Sequence, residues 1–140
     1  MSIFVPGWDT FPAKLWEFYS EYQLNTLTTL RADGRPHVVP VGVTLDPEQQ
    51  CAWIITRDGS RKVRNVEAAQ HGADVALCQV DGPRWSTLEG RARVHRDVES
   101  RDRAIELYAA RYRRQPTPDE RRIAIRIEVD RILHGAMLDG

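Results

Sequence analysis

This sequence of 140 residues has very few lysines and cysteines, and it has no long apolar run. Only two lysines occur, Lys14 and Lys62, against eighteen arginines, so a lysine inside the domain stands out from the background. The two cysteines, Cys51 and Cys78, lie in apolar segments and form no CxxC motif, which favours reduced thiols and a cytoplasmic protein. No segment approaches the roughly 18 apolar residues of a membrane span. The first residues lack the features of a signal peptide, so we expect neither a membrane partner nor export.

An excess of either charge is also missing, because the formal net charge is zero. That balance argues against a nucleic-acid partner. The four histidines show no metal-ligand spacing, and no cysteine–histidine pair, GxGxxG motif or P-loop is present. We therefore expect no metal site, and the sequence identifies no catalytic residue.

The periodicity of apolar residues predicts the order α-β-β-β-α-β-β-α-β. Residues 1–10 are expected to form a flexible N-terminal arm, and 11–140 a single domain. Six strands joined by short connections favour a mainly β, antiparallel sheet that is closed or nearly closed, with flanking helices. The predicted helices cover 11–22, 60–71 and 99–114, and the predicted strands cover 24–31, 37–45, 51–57, 73–81, 84–97 and 123–134.

The segment from Thr56 to Asn65 combines a strand end, a glycine turn and the start of a helix with Ser60 at its cap position. Free N–H groups at a helix start attract anions, and the nearby cations Arg61, Lys62 and Arg64 favour phosphate. The alternative is a solvated helix start with surface cations.

Two strand segments carry residues that suit a planar ligand. In 36–43, Pro40 removes a backbone donor and Gly42 removes a side chain, which leaves a flat stretch of backbone for a ring system or simply bends a barrel corner. In 84–92, Trp85 is either a core residue or a stacking partner for a ligand.

Taken in order, three segments resemble the pyridoxamine-phosphate-oxidase-like split barrels that bind FMN or a deazaflavin. Residues 27–41 resemble their opening hairpin, 55–65 their cofactor-phosphate element and 79–92 the strand that follows. The resemblance spans about residues 12–135 and is strongest to the actinobacterial branch that uses coenzyme F420, in particular its biliverdin reductases. The C-terminal arginine- and tryptophan-bearing motif of true pyridoxamine phosphate oxidases is missing, so vitamin B6 oxidation is not expected.

The resemblance implies a six-stranded antiparallel split β-barrel with flanking helices, working as a homodimer with its sites at the interface. It implies a reductase that transfers a hydride from reduced F420 to an unsaturated small molecule, such as biliverdin or a related tetrapyrrole. The alternatives are an FMN enzyme of the same fold and a non-catalytic protein that binds a cofactor or haem. The implied cofactor contacts are Ser60, Lys62, Arg61 and Arg57 for the phosphate, Thr56 for the ribityl chain, His37, Val39, Pro40 and Val41 for the ring, and a strand position from the partner chain around Trp85.

Overall fold

The computed structural model describes all 140 residues and contains one antiparallel sheet of eight strands with three α-helices. The strands are β1 (Ser2–Phe4), β2 (Asn25–Leu30), β3 (Pro36–Val41), β4 (Val43–Asp46), β5 (Cys51–Arg57), β6 (Ala73–Asp81), β7 (Arg84–His95) and β8 (Arg122–His134). The helices are α1 (Ala13–Ser20), α2 (Arg61–Glu67) and α3 (Val98–Tyr112), and a 3₁₀ turn, Ala136–Leu138, follows β8. None of these helices combines the length and the apolarity needed to cross a membrane.

The sheet curls back on itself because its two end strands are consecutive in the chain. The strand order is β3-β2-β6-β7-β8-β5-β4, with β1 attached to β8. Only Gly42 separates β3 from β4, so the two edges of the sheet meet at that residue. They diverge on either side of it, since β3 pairs only with β2 and β4 only with β5. The result is a barrel with an open split, which confirms the predicted fold class.

Alternating apolar residues fill the inside of this barrel. On β8, Ile123, Ile125 and Ile127 point inward at every second position and are buried. Leu15 and Phe18 of α1 close one end of the same cluster of 21 buried residues. A second, smaller cluster lies under α3, where Ala104 packs near Trp53.

The sheet contains eight strands where the sequence predicts six. One addition is β1, which lies in the segment expected as a flexible arm and pairs with β8 at Ile3 and Leu133. The other arises because the predicted strand 37–45 is interrupted at Gly42, which separates β3 from β4. The remaining elements agree with the prediction to within a few residues at each end.

Gly90 allows β7 and β8 to approach each other at a β-bulge. The register shifts between Glu89 and Gly90, which leaves Asp130 of β8 without a partner in the ladder. A Cβ atom at residue 90 would lie 2.3 Å from the carbonyl oxygen of Glu128. Only glycine therefore fits, and the bulge bends the longest strand pair of the barrel.

A buried carboxylate, Asp46, attaches α3 to the β4–β5 hairpin. It accepts hydrogen bonds from the Trp53 indole at 2.9 Å and from Arg103 Nε and Nη2 at 3.0 and 2.9 Å. Burial raises the pKa of Asp46, but the hydrogen bonds from Arg103 and Trp53 outweigh it and bring that pKa below its ordinary value. The group is thus a fully solvent-excluded anion with its partners in place.

Candidate functional site

The split of the barrel opens into a pocket of about 470 Å³. It lies between the end of β3, the end of β5, the start of α2 and the C-terminal part of α3. The connection over residues 114–122, which links α3 to β8, closes the remaining side. A smaller cavity of about 230 Å³ lies between α1, α3 and β4 and contains none of the predicted site residues.

Strand pairing explains why the pocket forms at this place. The β4–β5 ladder ends at Val43 and Ile54, while β5 continues to Arg57 paired on one side only, with β8. The free edge of β5 therefore faces the gap left by β3. Backbone groups on such an edge are open to other hydrogen-bond partners, such as a ligand. Pro40 lies on the opposite edge, as expected for a proline in a strand.

Lys62 brings an unpaired positive charge into the pocket. Partial burial lowers its pKa, and no neighbouring carboxylate contributes to the shift. Ser60 holds the N-cap position of α2, as predicted, but its hydroxyl caps no backbone N–H and lies 3.5 Å from the Thr56 hydroxyl. An ammonium without a counter-ion that shares a pocket with two hydroxyls is a donor set that suits a phosphate. Because α2 has only seven residues, this charge matters more than the helix dipole.

The arginines around this element have different surroundings. Arg57 lines the pocket and lies 3.5 Å from the carboxylate of Asp119, which offsets part of its charge. Arg61 is exposed and lies outside the pocket. Of the four residues predicted to bind phosphate, Lys62, Ser60 and Arg57 line the pocket and Arg61 does not.

Arg96, which directly follows β7, links α2 and the turn before it to the barrel. Its guanidinium binds both carboxylate oxygens of Asp58, in the turn before α2, and both of Glu67, at the end of α2. These hydrogen bonds hold the pKa of Asp58 and the pKa of Glu67 below their usual range. Both ends of the short helix are thus tied to one side chain.

The residues predicted to contact a ring are only partly brought together. Pro40 and Val41 line the pocket, whereas Val39 packs against the hydrophobic core. His37 lies on the α2 side of β3, where burial lowers its pKa and the charges of Arg31, Arg61 and Lys62 lower it further. Its Nδ1 atom is buried without a hydrogen-bond partner.

Trp85 does not line the pocket of its own chain. It is on β7, opposite Val80, and its indole packs against Gly135. This position agrees with either of the two predicted roles, a packing residue or a contact to the site of a second chain.

The sequence reasoning missed the pocket residues contributed by α3 and the connection after it, among them Tyr108 and Arg114. Tyr108 shares a helical face with core residues, and the basic end of α3 is typical of a solvated helix terminus. In the structure both line the pocket, and Arg114 Nη2 donates to the Tyr108 hydroxyl at 3.2 Å. The contact between α3 and Gly42 brings this face of the helix to the pocket. A Cβ atom at residue 42 would lie 2.8 Å from Tyr112 and 3.0 Å from Tyr108.

Residues 11–134 match the family model described as pyridoxamine 5'-phosphate oxidase. The chain belongs to the pyridoxamine 5'-phosphate oxidase family. This membership confirms the predicted resemblance, and the matched region holds the whole pocket.

Within this family, one relative is an F420H2-dependent biliverdin reductase from Mycobacterium tuberculosis (strain CDC 1551 / Oshkosh). It is 47% identical over 121 residues, which cover 86% of this chain and 85% of that protein. Two solved structures share the fold. A conserved hypothetical protein from Mycobacterium tuberculosis has a TM-score of 0.73 and 23% identity, covering 89% of this chain and 84% of that chain. An F420 reductase has a TM-score of 0.67 and 18% identity, covering 84% and 94%.

Proposed function

We propose that this protein is an F420-dependent reductase that transfers a hydride from the reduced deazaflavin to an unsaturated small molecule. The observation that carries the proposal is the unpaired ammonium of Lys62 in a pocket at the barrel split. The relative that acts as an F420H2-dependent biliverdin reductase supports the choice of cofactor, and biliverdin or a similar tetrapyrrole as the substrate.

The residues of the pocket fit such a cofactor. Lys62 and Ser60 would hold its phosphate, Thr56 the polyol chain, and the backbone edge at Pro40 and Val41 the flat ring. His37, on the same strand, has a buried Nδ1 atom without a partner but does not line the pocket. When bound, the reduced cofactor would supply the hydride, and the protein would bind it, orient it and exclude water.

The arginines of the pocket suit an anionic substrate. Arg57, Arg114 and Arg122 line it and would attract carboxylates such as the propionates of a tetrapyrrole. Arg84 is not available for this role, because Glu21 and Asp81 both bind its guanidinium.

Titration of the purified protein with F420 and with FMN, side by side, tests the cofactor assignment. We expect saturable binding of F420, measured by the fluorescence of the cofactor, and weaker binding of FMN. Addition of biliverdin to the protein loaded with reduced F420 should then oxidise the cofactor, which absorbance measures directly. Binding of FMN alone would identify an FMN enzyme, and F420 binding without turnover of any tetrapyrrole would identify a carrier.

We further propose that the protein is a cytoplasmic homodimer. Outward-facing side chains on β2, β3, β6 and β7 form a surface of small and apolar residues: Thr26, Thr28, Val38, Ala76, Cys78, Val80 and Thr87. Such a continuous surface on a small domain is typical of a subunit interface. The free thiols Cys51 and Cys78 suit a reducing compartment.

Val80→Arg should convert this dimer to a monomer, because it places a charge on an apolar contact surface. Val98→Arg on α3 is the matched control, since Val80 and Val98 are 63% and 57% exposed. Light scattering after size-exclusion chromatography measures the mass of each variant. A monomeric wild-type protein, or a Val80→Arg variant that stays dimeric, would contradict the proposed interface.

A further inference from the structure

Tyr108 is the one phenol among the side chains that line the pocket. Reduction of a double bond needs a proton as well as a hydride, so the nature of the acidic groups matters. The guanidinium groups of Arg57, Arg114 and Arg122 do not release a proton in proteins. Asp119 already has partners for both oxygens, Arg57 and the backbone N–H of Arg121. The ammonium of Lys62 is assigned above to the phosphate. The hydroxyls of serine and threonine are far weaker acids than a phenol.

The aromatic ring of Tyr108 is held in place from two sides. Its centroid lies 4.8 Å from that of Tyr112, whose hydroxyl donates to the carbonyl oxygen of Gln23 at 2.9 Å. Its edge rests on Gly42, where a Cβ atom would come within 3.0 Å. Gly42 also joins the two strands at the barrel split, so the phenol is fixed relative to the edge proposed to carry the ring of the cofactor.

The hydrogen-bond pattern of the phenol leaves its proton free to be given away. Its oxygen accepts a hydrogen bond from Arg114 Nη2 at 3.2 Å. Its own O–H finds no acceptor within the chain and so remains available to a ligand in the pocket. The neighbouring guanidinium would stabilise the phenolate left after proton transfer.

We propose that Tyr108 is the proton donor of the reductase, and that Arg114 positions its hydroxyl. The assignment rests on the proposed function. When bound, the reduced deazaflavin would supply the hydride for one carbon of the substrate double bond. Tyr108 would give its O–H proton to the atom at the other end. The electron pair of that O–H bond stays on oxygen as a phenolate beside Arg114, and water from the open side of the pocket returns the proton.

Tyr108→Phe keeps the ring and removes only the acidic hydroxyl. We expect kcat to fall by roughly a hundredfold, the lower range for loss of a general acid, while the Kd for F420 stays within about twofold. Arg114→Met should lower kcat, and Arg114→Lys should restore part of it.

Tyr22→Phe is the matched control for the loss of a phenol in this aromatic cluster. Tyr22 also contacts Tyr112, with centroids 5.2 Å apart, but it is 59% exposed and outside the pocket. Its variant should bind F420 and turn over like the wild type. Unchanged kcat in Tyr108→Phe would overturn the assignment, whether or not F420 binding weakens. Failure of the wild type to bind any deazaflavin would instead overturn the proposed function, and the proton-donor role with it.

Discussion

Replacing Lys62 with alanine should weaken F420 binding by about ten- to a hundredfold. The expectation follows from the loss of a charge-assisted hydrogen bond to phosphate, about 1.5–3 kcal/mol, since each tenfold change in Kd corresponds to about 1.4 kcal/mol. The ammonium has no carboxylate partner in the chain, so its removal leaves no unpaired anion behind. Fluorescence titration measures the change, and FMN binding should weaken with it because the phosphate is shared.

Lys14→Ala is the control for this variant, because Lys14 is the second lysine of the chain and is exposed on α1. Its variant should bind F420 with wild-type affinity. Rising salt should weaken binding by the wild type more than binding by Lys62→Ala, since the variant lacks the attraction that salt screens. A Kd that changes by well under tenfold in Lys62→Ala would show that the phosphate lies elsewhere.

Replacing Asp46 with asparagine should lower the free energy of unfolding by about 3–5 kcal/mol, the usual cost of breaking a buried ion pair. The substitution leaves the partly buried guanidinium of Arg103 without its one buried anion and replaces a charged acceptor of the Trp53 indole with a neutral amide. Chemical denaturation monitored by Trp fluorescence gives the value. Because α3 carries Tyr108, the loss of this anchor should also loosen the pocket.

Glu48→Gln separates the buried contact from simple loss of charge near Arg103. Glu48 lies 3.3 Å from the same guanidinium, but its side chain is 81% exposed. We expect its variant to unfold at nearly the wild-type midpoint, as is common for surface ion pairs. Equal stability of Asp46→Asn and the wild type would mean that the carboxylate does not anchor α3.

The same carboxylate makes stability depend on acid pH. The pKa of Asp46 is lowered in the folded protein, so its contribution to stability is complete above the unfolded value of about 3.9. The contribution is lost as pH falls through the folded pKa. The difference in stability between the wild type and Asp46→Asn should therefore be largest near neutral pH and should shrink below about pH 4.

The sequence predicts most of the helices and strands, and it singles out residues of types that are rare in the chain or conformationally restricted. Pro40 indicates an edge or irregular position of a strand, because proline has few roles open to it in a sheet, and the pairing of β3 with β2 alone agrees. The anion site at Lys62 stays a prediction. The split at Gly42 was harder to see, since the apolar pattern runs through it and only the pairing of β3 and β4 with different strands reveals two elements.

Tyr108 and Arg114 were out of reach for a related reason. Helical periodicity shows which face of α3 is buried, but it does not show which strand end lies opposite that face. Tyr108 meets the barrel split at Gly42, 66 positions earlier in the chain. Contacts between residues so far apart in the chain depend on how the whole sheet closes. The local sequence pattern around Tyr108 therefore does not predict them.

The prolines of β3 have a consequence for the protein before any cofactor is bound. An unpaired strand edge is a template on which the strand of another molecule can grow, which leads to aggregation. Pro36 and Pro40 lack the N–H groups that such growth requires, so the open rim of the barrel is a poor seed for intermolecular β-pairing. The protein without a bound ligand should therefore resist aggregation through this edge of the sheet.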